Sequence, residues 1–438
     1  MINREKAKTL LEKVISLGTA DEMSVRLGGG EEGLTRFANN QITQNLAFSD
    51  RALIVEAAFG KKVGVASTNM LDEKSLKEVV ERAEIFAQAS EVNPEYMPPL
   101  EPQEYEKIEA HFPATANFGP EKRAEKIKEV VEPCAGQGLI TSGTFASGEA
   151  FSAIATSRGL FAYHKQTSAD FSITVRTADG SGASRASQTD VRRIEDLDTK
   201  ALAEKARERA LASRNPIELP PGDYAVVLEP EAVAELLFFL FTSFDARSAD
   251  EGRSFMSDRK CGGNKLGQKI VGENIDIRSQ PGHPFILGRP FFSDGLGARE
   301  IAWIEKGVAK NLSYSRYWAK EKNKRPTGRP VSLVMQGGKH TTKELIKSIP
   351  RGILVTRFWY IRFVDPNEIL LTGLTRDGTF LIENGEIKSP IKNFRFNESP
   401  VRLLQNVEGI TAAEKVGSSV VPAVKAHNFT FTSISSAV

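Results

Sequence analysis

The sequence is poor in the side chains that hold transition metals, with five histidines and two cysteines in 438 residues. His111, His164, His283, His340 and His427 are too widely spaced for one helix to present two of them, so a metal site would have to be assembled from distant loops. Cys134 and Cys261 lie far apart, which fits a reducing compartment and suggests no disulfide framework. No apolar run approaches the roughly 20 residues that span a bilayer. The N-terminal Met1-Ile-Asn-Arg-Glu-Lys-Ala-Lys8 lacks the apolar core of a signal peptide, so the cytoplasm is the expected compartment, with no membrane partner.

An excess of charge of one sign is missing as well. Lys and Arg number 58 against 56 Asp and Glu, and the two are interleaved, as in Glu121-Lys-Arg-Ala-Glu-Lys-Ile-Lys-Glu129. A nucleic-acid-binding face would concentrate the basic residues, so no direct nucleic-acid contact is expected. No G-x-S-x-G elbow occurs. Ser-x-x-Lys spacings at Ser257–Lys260 and Ser389–Lys392 sit on no clear helix start, and a chain with this much Ser and Lys produces such matches by chance.

What is present is ordinary globular material, 40% apolar and 26% charged, in a chain too long for one core. The expected fold class is α+β with two domains. The first, 1–215, mixes helix and strand, and the second, 222–438, is mostly antiparallel β. The Pro-rich Asn215-Pro-Ile-Glu-Leu-Pro-Pro-Gly222 divides them. Asn3 caps a predicted helix to about Leu17, with Ala7, Leu10, Leu11 and Val14 on one face and Gly18 as its stop. Strands are expected over Met23 to Leu27, Gly33 to Phe48 and Ala52 to Ala66, and again between Ser142 and Ala186. Helical spacing marks Asp72 to Ala89, Glu121 to Cys134, Leu197 to Ser213, Pro230 to Phe241 and Thr342 to Ser348.

Gly28-Gly-Gly-Glu-Glu-Gly33 satisfies G-x-G-x-x-G but opens no helix that could meet a pyrophosphate, and Glu31 and Glu32 would repel one. A flexible hairpin connection is the expected structure there.

Tyr224-Ala-Val-Val-Leu228 has the pattern of a strand, and Pro230 to Phe241 follows as an apolar helix. Four further segments accompany them in order: Thr35-Arg-Phe-Ala-Asn-Asn-Gln-Ile-Thr-Gln-Asn45, Lys265-Leu-Gly267, Thr372-Gly-Leu-Thr-Arg-Asp-Gly378 with Ile382-Glu-Asn-Gly-Glu-Ile387, and Val420-Val-Pro422. Across almost its whole length the chain resembles the TldD/PmbA family, the modulators of DNA gyrase also known as TldD/TldE peptidases.

The resemblance implies a metallopeptidase scaffold. The family's TldD-type subunit carries a His-Glu-x-x-x-His helix and a cysteine near its C-terminus. Counted from Val226-Val-Leu228, those positions fall near Phe238, Phe239 and Ser243, and the cysteine near Ala413. A phenyl ring offers zinc no lone pair. The resemblance therefore points to a TldE/PmbA-type subunit with no catalytic residue and no metal ligand of its own, zinc being expected only in a TldD-type partner. The alternatives are a stand-alone homodimeric peptide-binding protein and a non-metal hydrolase. Unfolded peptide is the implied substrate, and Thr375, Arg376, Asp377 and Asn384 are the candidate groove residues. Phe238, Phe239, Phe241 and Phe244 are expected in the core, filling the volume of the absent metal centre.

Overall fold

The fold is that of a computed structural model, which describes residues 1–435. The last three residues of the expected 222–438 domain lie outside the described residues. Helix α1 (Arg4–Ser16) opens the chain, with the Asn3 side chain accepting from the Lys6 amide and Ala7, Leu11 and Val14 buried. It ends on a right-handed Leu17, and Gly18 serves a different need from the expected stop. A Cβ there would stand 2.3 Å from the Met23 sulfur.

Three long strands follow, β1 (Glu22–Ala38), β2 (Gln41–Phe59) and β3 (Lys62–Thr68), then α2 (Glu73–Ala89), the short α3 (Pro113–Ala116) and α4 (Pro120–Ala135). Strands β4 (Ile140–Thr156), β5 (Phe161–Arg176) and β6 (Ala183–Val191) precede α5 (Thr199–Ala212). The six strands make one antiparallel sheet in the order β3-β2-β1-β4-β5-β6. Its odd-numbered β1 residues Met23, Val25 and Leu27 are buried with residues of α1 and α2, while Phe37 joins α4 and α5 in a second core.

The glycine-rich segment is a correction to the expected hairpin connection. Gly28 to Gly33 lie inside β1, paired with β2 on one side and β4 on the other. The true reversal is Asn39-Asn40, both at positive φ (50° and 63°), as a two-residue hairpin turn requires. The glycines are needed for close approach. A Cβ on Gly29 would meet the Asp50 carbonyl at 2.8 Å, one on Gly30 the Glu149 carbonyl at 2.9 Å, and one on Gly33 the Arg123 guanidinium at 2.4 Å. That arginine, 4% exposed on α4, donates to Thr35, Ser147 and the Phe118 carbonyl.

Residue 215 onward builds a second sheet. Its main elements are β7 (Gly222–Leu228), α6 (Pro230–Thr242), α7 (Ala246–Asp250), β8 (Ile277–Ser279), β9 (Ile301–Glu305) and β10 (Val308–Ala309). They continue with α8 (Arg316–Glu321), β11 (Leu333–Met335), α9 (Thr342–Lys347), β12 (Arg351–Asp365), β13 (Leu370–Glu383) and β14 (Glu386–Pro390). The chain closes with β15 (Phe394–Glu398), α10 (Pro400–Gln405), β16 (Val407–Val416) and β17 (Ser419–Ile434). Strand β7 pairs in parallel with β12 and antiparallel with β17, which closes the run β17-β15-β13-β12-β7 into a ring. Aromatic rings fill it: Phe358, Phe396 and Phe429 have centroids 4.5 to 5.7 Å apart. The molecule is thus α+β, with two sheets that share no strand.

Side chains tie the two sheets together. Arg185 on β6 pairs with Glu231 on α6 at 3.2 Å, Lys415 reaches the Asp190 carbonyl at 3.1 Å, and Ile154, Leu160 and Ala162 pack on Phe291. Among the described residues no helix is long and apolar enough to cross a membrane.

Candidate functional site

Helix α6 follows β7 directly, with Glu229 at its N-cap and Pro230 at N1, where a missing amide proton costs nothing. Ala232, Val233, Leu236, Leu237, Leu240 and Phe241 turn inward at helical spacing. The opposite face carries Glu231, Ala234, Glu235 and Phe238. Phe238 is 67% exposed, contrary to its expected place in the core. The run is apolar all round, so burial of one face leaves a phenylalanine on the other. Its ring stands edge-on to Phe239 at 5.4 Å, and Phe239 meets Phe363 at 5.3 Å. Phe241 and Phe244 are buried as expected, against Trp303.

Phe238 and Ala234 form one wall of a cleft of about 1100 Å³. The other walls come from Met97 and Asp190, from the segments around Arg289–Ala298 and Ser313–Arg316, and from Gly328–Leu333 with Ser418 and Ser419. Its chemistry is mixed: Phe291, Phe292 and Tyr314 supply apolar surface, while Arg289 and Arg329 are exposed cations. Such a cleft suits an extended chain with both side-chain and backbone groups to satisfy.

Phe238, Ser243 and Ala413, near which the family's metal ligands were expected by count from Val226-Val-Leu228, offer zinc no nitrogen, thiolate or carboxylate. Ser243 is 7% exposed and its hydroxyl donates to the Leu240 carbonyl at 2.7 Å. Ala413 lies on β16 opposite Pro422. Among the described residues no group of three or more His, Cys, Asp or Glu is placed to hold a metal ion. His111 pairs with Glu149 at 2.8 Å, beside Lys165, and His427 with Glu408 at 3.2 Å. His164 is 7% exposed with its Nε2 unpartnered, and burial, with Arg289 nearby, pushes its pKa down to about 4.

The four groove candidates are not brought together on this cleft, and none lines it. Thr375 is 1% exposed and its hydroxyl accepts from the Phe394 amide at 2.9 Å. Arg376 lies over the Trp359 ring at 4.0 Å. Asp377 pairs with Arg357 at 3.2 Å, and Asn384 turns the β13–β14 hairpin at φ 53°. Neither Ser-x-x-Lys serine starts a helix: Ser257 is buried in a loop and Ser389 lies within β14.

One unusual group escaped sequence reasoning. Glu235, on the outer face of α6, has its carboxyl pushed up to about 7 because burial outweighs Arg357 at 3.8 Å and the Phe358 amide at 2.6 Å. Only its spacing of four from Glu231 hinted at a shared carboxylate face.

Known proteins share this architecture. A metalloprotease of Methanothermobacter thermautotrophicus is 23% identical over 323 residues, covering 68% of each chain. A zinc metalloprotease TldD homolog of Saccharolobus solfataricus is 27% identical over 217 residues, covering 43% of this chain and 44% of the other. The crystal structure of TldE from Thermococcus kodakarensis superposes with a TM-score of 0.85 at 20% identity, over 97% of this chain and 99% of that one. Three family models match in order, PmbA/TldA metallopeptidase domain 1 over residues 24–86, the central domain over 98–214 and the C-terminal domain over 221–433, so the chain belongs to the PmbA/TldA metallopeptidase family.

Proposed function

We propose that this chain is a cytoplasmic TldE/PmbA-type subunit of a TldD/TldE-type zinc metallopeptidase, one that holds unfolded peptide while a TldD-type partner holds the zinc. The observation that carries this is Phe238, an exposed phenyl ring on the cleft wall, near where a metal-binding histidine of a TldD-type subunit is expected by count along the chain. Phenyl rings on the wall of an open cleft favour binding of an apolar side chain, and they supply no ligand for a water-activating zinc. Phe291 and Phe292 extend the apolar wall, and loop backbone around the cleft can pair with an extended peptide without demanding one sequence.

The test is binding of a fluorescent unfolded peptide to the isolated chain. Phe238→Ala should weaken binding by about 2 kcal/mol if the ring is a central anchor, and the peptide should be recovered uncut. Unchanged affinity in that variant would remove the cleft from the account. A stand-alone homodimeric binding protein would use the same cleft, and it is told apart by its indifference to the zinc-bearing subunit.

A further inference from the structure

The tripeptide Gly-Arg-Pro occurs twice, at Gly288-Arg289-Pro290 and at Gly328-Arg329-Pro330, and both arginines line the cleft that Phe238 borders. The two copies share a construction. Each glycine sits where a side chain could not: a Cβ on Gly288 would stand 1.7 Å from the Pro281 carbonyl oxygen, and one on Gly328, at φ 69°, would stand 2.4 Å from the Phe292 ring. Each following proline confines the backbone of its arginine to extended conformations. Behind the first copy, His164 on β5 is 7% exposed and hydrogen-bonds the Gly288 backbone, which ties that loop to the first sheet. Both guanidiniums are therefore mounted on fixed backbone.

The other charges of the cleft are already engaged. Asp245 accepts the Ser248 amide at 2.8 Å as the cap of α7. Asp294 accepts the Leu296 amide at 3.0 Å and faces Arg316, which itself donates to the Pro98 carbonyl. Asp190 is balanced by Lys415, whose Nζ reaches the Asp190 carbonyl at 3.1 Å. Arg289 and Arg329 are exposed, and among the described residues neither has an ion-pair or hydrogen-bond partner. The cleft thus offers two uncommitted cations beside the apolar surface of Phe238, Phe291 and Phe292.

We propose that Arg289 and Arg329 set the specificity of this cleft, selecting unfolded segments in which acidic side chains flank an apolar one. The inference rests on the reading of the cleft as a peptide site and adds which peptides it takes. A guanidinium meets a carboxylate through two parallel charge-assisted hydrogen bonds, which a neutral amide of the same shape does not reproduce. The phenyl rings take the apolar side chain between the two ion pairs. Two cations on separate segments call for two carboxylates, which acidic side chains supply and a single chain terminus does not.

The test titrates the isolated chain, by fluorescence anisotropy, against C-terminally amidated peptides that differ only in carrying Glu, Gln or Lys on both sides of a central Leu. The Glu peptide should bind at least about 10-fold more tightly than the Gln peptide, and high salt should shrink that advantage. Arg289→Gln combined with Arg329→Gln should abolish the difference, and Arg289→Glu combined with Arg329→Glu should turn the preference to the Lys peptide. Both side chains are exposed, so these variants should melt with the wild type. A free C-terminus on the Glu peptide should change nothing. Equal binding of the Glu and Gln peptides, a Glu preference that survives the double Gln change, or a preference that needs a free C-terminus would each overturn the assignment while leaving the cleft a peptide site. Failure of all the peptides to bind would overturn the reading of the cleft itself, and the preference with it.

Discussion

Phe238 and Phe244 are six residues apart in one apolar run, yet their environments demand opposite responses to mutation. Phe244 is fully buried against Phe241 and Trp303, so Phe244→Ala should cost about 3–5 kcal/mol in denaturant unfolding. Phe238→Ala removes an exposed ring and should stay within about 0.5 kcal/mol. Equal losses in the two variants would contradict the exposed place given to Phe238 and the buried place given to Phe244. His164 gives a pH-dependent prediction. Its folded pKa of about 4 lies below the ordinary value of 6.5, so the unfolded chain takes up the proton first. The stability it contributes is present above pH 6.5 and is lost as pH falls toward 4, by at most about 3 kcal/mol. Urea unfolding across that range should show the loss in the wild type and a flatter profile in His164→Gln. At this scale the sequence was legible where a side chain's packing follows from its own apolar bulk, as in the buried Phe241 and Phe244. It was silent where burial decides, as in Glu235, Phe238 and Thr375.

Helices were legible because capping and periodicity are local. Asn3, Asp72 and Thr341 each accept a backbone amide at a helix start, and the buried residues of α1 and α2 fall at the expected spacing. Strand β1 was not, because its glycines look like a connection when the neighbouring strands are unseen. Its continuity follows from β2 and β4 pressing against it from both sides. Gly30→Ala should therefore cost about 1–3 kcal/mol, since the Glu149 carbonyl is backbone and cannot swing aside. Gly28→Ala, with no atom closer than 3.8 Å, should be far milder. Thermal melts of the two variants decide this, and equal tolerance would return the segment to a flexible loop. The short helices α7, α8 and α10 escaped detection, since five or six residues hold little periodicity, although α9 of the same length was marked by its spacing.

For the whole molecule, the α+β class and the family were readable from ordered motifs spread along the chain, while the closed ring of β17-β15-β13-β12-β7 was not. Ring closure joins residues about 200 positions apart, such as Val226 and Ala426, and no local pattern encodes that pairing. The cleft belongs to the same class of feature, because its walls come from segments as distant as Met97 and Ser419. With no group of three or more His, Cys, Asp or Glu placed to hold a metal among the described residues, the purified chain should carry far less than one zinc per molecule by elemental analysis. A stoichiometric, tightly held zinc would reveal a site built from other residues. The most direct test of the central claim is peptidase activity on an unfolded peptide, measured for this chain alone, for the proposed TldD-type subunit alone and for the two mixed, each with and without chelator. Activity that arises only in the mixture and disappears with chelator is the predicted result, and robust chelator-resistant cleavage by this chain alone would contradict it.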